Sequence, residues 1–80
     1  MTAAKPDVYE NVLIAPIRRS LNIKQARARA RSARVKLARM EKATNMYIGD
    51  AARVYDRIDG EEIRTVGRII HQEQTYGKQR

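Results

Sequence analysis

The chain has no cysteine, no tryptophan and no phenylalanine, and only two prolines among its 80 residues. Without cysteine there is no disulfide framework and no thiolate metal site, which suits an intracellular setting. Without Phe or Trp, large buried area must come from aliphatic residues, and these are few: three Leu, eight Ile and five Val, against eleven Ala. Combined with a net charge of +8, that is close to the composition at which chains bury too little to order themselves. A chain this short buries only about 60% of its unfolded surface in any case. The expectation is one marginal domain, or one that a partner stabilises.

Long apolar runs are missing too. The longest, 12–17, is interrupted by Pro16, far short of the roughly 20 residues a bilayer span needs and of a signal-peptide core. Asp7 and Glu10 speak against a transit peptide. The composition therefore predicts a soluble protein of the cytoplasm or of a virion interior.

Acidic residues are scarce where basic ones are dense. Residues 18–42, RRSLNIKQARARARSARVKLARMEK, hold ten basic side chains against one acid, Glu41, while the rest of the chain is nearly neutral. Ala, Arg, Lys, Leu and Met are strong helix formers, and no Gly or Pro interrupts from Leu21 to Tyr47. The spacing predicts one long basic helix over 20–48, with Ser20 as its N-cap. At about 100° per residue, Ile23, Ala26, Ala30, Ala33, Leu37 and Met40 share one narrow stripe, and Lys24, Arg27, Arg31, Arg34, Arg39 and Lys42 spread over the opposite arc. The Ala positions allow close helix approach but each buries only about one methyl group, ~0.8 kcal/mol.

Charged faces are commonly just solvated. This arc, however, lacks the interspersed Glu that a merely soluble helix uses to offset repulsion between like charges three and four apart. Together with a pI near 10.5, that points to a polyanionic partner, DNA or RNA, whose phosphates the arc neutralises. A membrane surface fits less well, since an Ala face offers little bulk to insert among lipids.

Before this helix, residues 1–7 show no periodicity and read as an extended arm, Pro6 biasing Lys5 toward extended backbone. Val8, Val12, Leu13, Ile14 and Ile17 form the most apolar segment, either a short helix started by Asp7 or an extended strip. It folds back on the Ala stripe, docks on another subunit, or is simply the N-terminal part of a small core. After the long helix, Gly49-Asp50 suits a C-terminal cap followed by a new N-cap, separating two helices by a short turn.

Asp59-Gly60 admits two structures: a two-residue hairpin turn, or a helix start with Asp59 as cap, Glu62 completing a capping box, and Ile63, Val66, Ile69 and Ile70 as the apolar face. The helix is preferred because Ile63 and Val66 would fall on opposite faces of a strand. Gly67 inside it costs about 1 kcal/mol relative to Ala. The polar tail, 73–80, is expected to fray.

Residues 51–72 resemble a helix-turn-helix, and RTVGRIIHQ is similar to the recognition helix of lac-repressor-type regulators. Gly60 stands at the family's turn glycine, and Tyr55, Val66 and Ile69 at positions it keeps apolar. The sequence departs from the pattern at Asp56, where the family packs a small residue, and at Glu61, which replaces an apolar one. The resemblance implies that Arg64 and Arg68 face the major groove and that Thr65 approaches a phosphate.

Catalytic chemistry has no constellation here. His71 is the only histidine and has no carboxylate at ligand spacing. Ser20 and Ser32 have no paired base, the carboxylates at 56, 59, 61 and 62 read as caps and surface charge, and there is no Gly-rich phosphate loop. No tyrosine (Tyr9, Tyr47, Tyr55, Tyr76) lies in the Arg-rich block, which argues against a base-stacking platform for single strands.

The sequence thus predicts an all-α, non-enzymatic protein without cofactor or metal. Its nucleic-acid contacts are Lys24, Arg27, Arg31, Arg34, Arg39, Lys42, Arg64 and Arg68, and its packing residues are Ile14, Ile17, Ile23, Ala30, Ala33, Leu37 and Met40. The alternative is a structural or assembly subunit, a virion or scaffold component, that packs those residues on its own copies or on a larger protein.

Overall fold

The computed structural model of the chain describes residues 9–44 and 48–78. The expected arm at 1–7, the Asp7 cap, Val8, Tyr47 and the last two residues lie outside that range. Within it the protein is all-α. A π-helical segment, Tyr9–Ile14, runs into a single α-helical turn, α1 (Ala15–Arg18), followed by two long helices, α2 (Ile23–Thr44) and α3 (Ile48–Lys78). Pro16, in the first turn of α1, has no N–H to donate to the carbonyl of Val12 and its ring would clash there. The wider winding upstream of it avoids that contact.

The start of α2 is set by Asn22. Its Oδ1 accepts from the backbone N–H of Gln25 at 2.7 Å, and Gln25 Oε1 accepts in return from the N–H of Leu21 at 2.6 Å, a reciprocal arrangement close to a capping box. Ser20, the expected cap, is instead buried and its hydroxyl donates to the Pro16 carbonyl at 3.4 Å. The helix therefore begins three residues later than the sequence predicts.

The contacts between α2 and α3 run in opposite order: Glu41 with Tyr55, then Arg34 with Asp59 and Glu62. The two helices are antiparallel. Gly49 lies in the first turn of α3, so the break falls before it and not at Gly49-Asp50. Nor does α3 break at Asp59-Gly60, where a new helix start was expected in preference to a hairpin turn, and it stays helical through Lys78 where fraying was expected. The reason is tertiary. Ala51, Val54, Ile58, Glu61, Thr65 and Ile69 are all buried and recur in steps of three and four, one unbroken stripe turned toward α2 and the N-terminal segment. Only a continuous helix keeps all six inward, which outweighs the roughly 1 kcal/mol that Gly60 costs relative to Ala.

The N-terminal segment folds back. Tyr9, Leu13, Ile14 and Ile17 join Ala30, Ala33, Leu37, Val54 and Ile58 in one core, with Met40 and Tyr55 packed on its edge. Small residues on α2 let this segment and α3 approach closely, and the bulk they lack is supplied by Leu13, Ile14, Ile17, Leu37 and Ile58, the largest side chains that are fully buried. The Ala stripe of α2 and Leu13, Ile14 and Ile17 of the apolar segment are thus buried against each other within one chain, while Val12 stays exposed. The molecule measures 54 × 20 × 17 Å, the long dimension following from the about 46 Å that a 31-residue helix spans.

Candidate nucleic-acid interface

The candidate contacts divide according to what surrounds them. On the outward arc of α2, Lys24, Arg27, Arg31, Arg39 and Lys42 are exposed, as is Lys36 between them, and none has an ion-pair partner among the described residues. From Lys24 to Lys42 the arc extends about 27 Å along the helix axis. No acidic residue interrupts it, because Glu41 turns toward α3 and accepts from the Tyr55 hydroxyl at 3.4 Å. Burial, and then the Glu41 carboxylate, push that phenol above its ordinary value.

Arg34 belongs to a different environment. It is half-buried, its Nε donates to Asp59 Oδ1 at 2.9 Å and its Nη2 to Glu62 Oε2 at 2.7 Å. The hydrogen bond to Asp59, followed by that to Glu62, raises its pKa further. Arg34 therefore clamps α2 to α3 and leaves the exposed row. Arg68 likewise works inside the fold, donating to the carbonyls of Arg18 at 2.8 Å and Ser20 at 3.3 Å. With Arg29, which donates to the Pro16 carbonyl at 2.9 Å, it satisfies carbonyls that the short α1 leaves without helical partners. Arg64 is exposed and loosely paired, its Nη1 lying 3.4 Å from Glu61.

These positions remove the helix-turn-helix. With α3 continuous through Gly60 there is no turn, Arg68 is occupied by backbone carbonyls, and Thr65 is buried against the core. The expected apolar face is also rotated: Ile63 is 72% exposed and Ile70 39%, while Glu61 and Thr65 point inward. A turn signal read locally was overridden by the stripe running through it.

Glu61 is the residue that sequence reasoning missed. Its carboxylate is buried and accepts two bonds from Arg18, Nε at 3.1 Å and Nη2 at 2.8 Å. Those bonds hold its pKa below the ordinary carboxylate value, and raise that of Arg18. Extending the Val54–Ile58 stripe past Gly60 would have placed it inward. Around it, Arg18, Asp56, Arg57, Gly60, Glu61 and Arg64 line a cleft of about 330 Å³. Arg18 and Arg57 both also pair with Glu10, so the cleft is internally neutralised and offers no uncompensated charge to a ligand.

Among the described residues no three His, Cys, Asp or Glu side chains gather as a metal site, and no helix is long and apolar enough to cross a membrane. The packing residues Ile14, Ile17, Ala30, Ala33 and Leu37 are buried, with Ile23 and Met40 partly so. Compared with known proteins, the chain matches no family model, no curated protein and no solved structure.

Proposed function

We propose that this protein binds nucleic acid, DNA or RNA, through phosphate contacts along the outward arc of α2, without catalysis. The observation that carries the reading is the sorting of charge. The acids Glu10, Asp59, Glu61 and Glu62 are held by Arg18, Arg34, Arg57 and Arg64, leaving Lys24, Arg27, Arg31, Lys36, Arg39 and Lys42 exposed and uncompensated on one face. Over the ~27 Å of that face a duplex presents about 16 negative charges. Releasing their counterions supplies the binding free energy, with at best modest sequence preference.

The test is a titration of labelled duplexes and single strands at several salt concentrations. With six cations engaged, log K should fall against log salt with a slope of about −5 on duplex DNA. Changing Arg27, Arg31 and Arg39 together to Gln, close to Arg in helix propensity, should reduce affinity at least tenfold and leave circular dichroism and melting unchanged. Arg34→Gln should do the reverse, lowering the melting temperature with little effect on binding. Salt-independent binding, or an Arg27/Arg31/Arg39 variant that binds as the parent does, rejects the proposal.

A second reading, an assembly subunit of a virion or scaffold, is favoured by one observation: Ile63 and Ile70 stand exposed on the outer side of α3.

A further inference from the structure

The uncompensated cations of α2 are not spread evenly over its free side. Directions can be measured from the line opposite the buried Ala26, Ala30, Ala33 and Leu37, at about 100° per residue. Arg27 and Arg31 then lean to one side by about 90° and 50°, and Arg39 and Lys36 to the other by about 30° and 90°. Within about 10° of the line stand Ala28 and Val35, with Ser32 between Arg39 and Lys36. Lys24 and Lys42 lie about 30° off it, at the two ends of the arc. All these side chains are exposed. The free arc is closed at about 110° on either side by two arginines already in use, Arg34 on Asp59 and Glu62 and Arg29 on the Pro16 carbonyl.

Charge thus stands on both flanks of the middle of α2 and is withheld from its crest. Against a flat or convex polyanion the crest comes nearest the phosphates, and a cation is most effective there. Against a groove with phosphates along both rims, the flanks face the phosphates and the crest faces the floor. Short side chains at Ala28 and Ser32 let the backbone approach that floor, and Val35, 49% exposed on a cationic face, meets there an apolar partner in the methyl group of thymine. Toward its ends a straight helix leaves a groove that curves, and the rims pass beneath it, which is where Lys24 and Lys42 stand close to the crest. The groove must also be wide. A helix with its side chains is about 10–12 Å across, which matches the major groove of B-form DNA at about 12 Å and exceeds its minor groove of about 6 Å. The major groove of A-form RNA is too narrow. Single strands offer no groove, and among the described residues no aromatic lies on this arc for their bases to stack on.

We propose that α2 lies lengthwise in the major groove of duplex DNA, with Arg27 and Arg31 on the phosphates of one strand, Lys36 and Arg39 on those of the other, and Ala28 and Val35 toward the base edges. The N-terminal segment and α3 pack on the buried side of α2 and stay outside the groove. The inference rests on the phosphate-binding reading of this arc and adds its substrate, B-form duplex DNA in preference to duplex RNA or single strands. With only Ala, Ser and Val facing the bases, sequence discrimination is slight.

The experiment titrates the full chain at low salt against three duplexes of one length and sequence: DNA, RNA, and DNA in which every cytosine is glucosylated 5-hydroxymethylcytosine, which keeps the phosphate charge and fills the major groove. Plain DNA should bind roughly tenfold or more tighter than either of the others. Ala28→Trp with Val35→Trp, which holds the crest off the floor at unchanged charge, should lose about the same factor on plain DNA, while Ala52→Trp, exposed on α3, should bind as the parent does. An RNA or glucosylated duplex bound as tightly as plain DNA, with steep salt dependence throughout, overturns the groove placement and leaves the phosphate reading standing, as does a helical Trp pair with the parent's affinity. Absence of salt-dependent binding to every duplex overturns both. The comparison of duplexes is made on the parent chain, so it decides the matter even if the Trp pair fails to fold.

Discussion

Arg18 closes a two-bond fork on Glu61, 2.8 and 3.1 Å, across 43 residues of chain. It joins the end of α1 to the middle of α3, and Glu10 forms an ion pair with the same guanidinium at 3.3 Å. The fork explains how a carboxylate survives on the core face of a helix. Its charge is met by a planar donor pair while the rest of Arg18 reaches solvent.

Glu61→Gln keeps the shape and removes the charge, so the bonds that remain are weaker and the melting temperature should fall by about 4–8 °C. Arg18→Gln should fall similarly, because it leaves a buried carboxylate without its partner. The double variant should melt close to either single one, since the interaction is already lost after the first change. Additive losses would mean that each residue acts alone. Thermal melts of the three variants decide it.

Acid should unfold the protein through the same residue. The folded pKa of Glu61 lies below its ordinary value of 4.5, the hydrogen bonds from Arg18 being the main cause. Its stabilisation is therefore fully present above about pH 4.5 and is lost as pH falls through the folded value, where the native state must take up a proton it binds less well than the unfolded chain does. Protonation of the nine acids also uncovers more of the excess positive charge. Urea midpoints should be flat from pH 7 to about 5 and drop below it, with a shallower drop in Glu61→Gln. Equal acid slopes in both proteins would assign the effect to general repulsion instead.

The core has a large side chain at Leu37 and a small one at Ala30, both fully buried, and the two should fail in opposite ways. Leu37→Ala leaves a cavity and should cost about 2–4 kcal/mol, a large share of what so small a domain has. Ala30→Leu adds side-chain volume at little cost in propensity yet should still destabilise by about 1–3 kcal/mol, because Ala30 is fully buried in the core it shares with the N-terminal segment. If Ala30→Leu proves neutral, the core around Ala30 is not close-packed. Chemical denaturation of both variants, followed by circular dichroism, is sufficient.

Much of this architecture is already written in local sequence. The long basic helix, its Ala stripe ending in Leu37, the cationic arc opposite and the all-α class all follow from propensity and a 3.6-residue period, which act within a few turns and need no knowledge of the rest of the chain. What the sequence alone did not decide is whatever depended on distant residues. Asn22 rather than Ser20 caps α2 because Ser20 is drawn into the α1 carbonyls. Asp59-Gly60 stays helical because six inward positions on α3 face α2 and the N-terminal segment without a break. Arg34 and Arg68 look like their exposed neighbours in sequence, yet Asp59, Glu62 and two backbone carbonyls claim them. A charge pattern fixes which side of a helix is polar, but whether a given cation remains free is set by which acids and carbonyls the fold brings within 3 Å or so of it, and those lie on other elements.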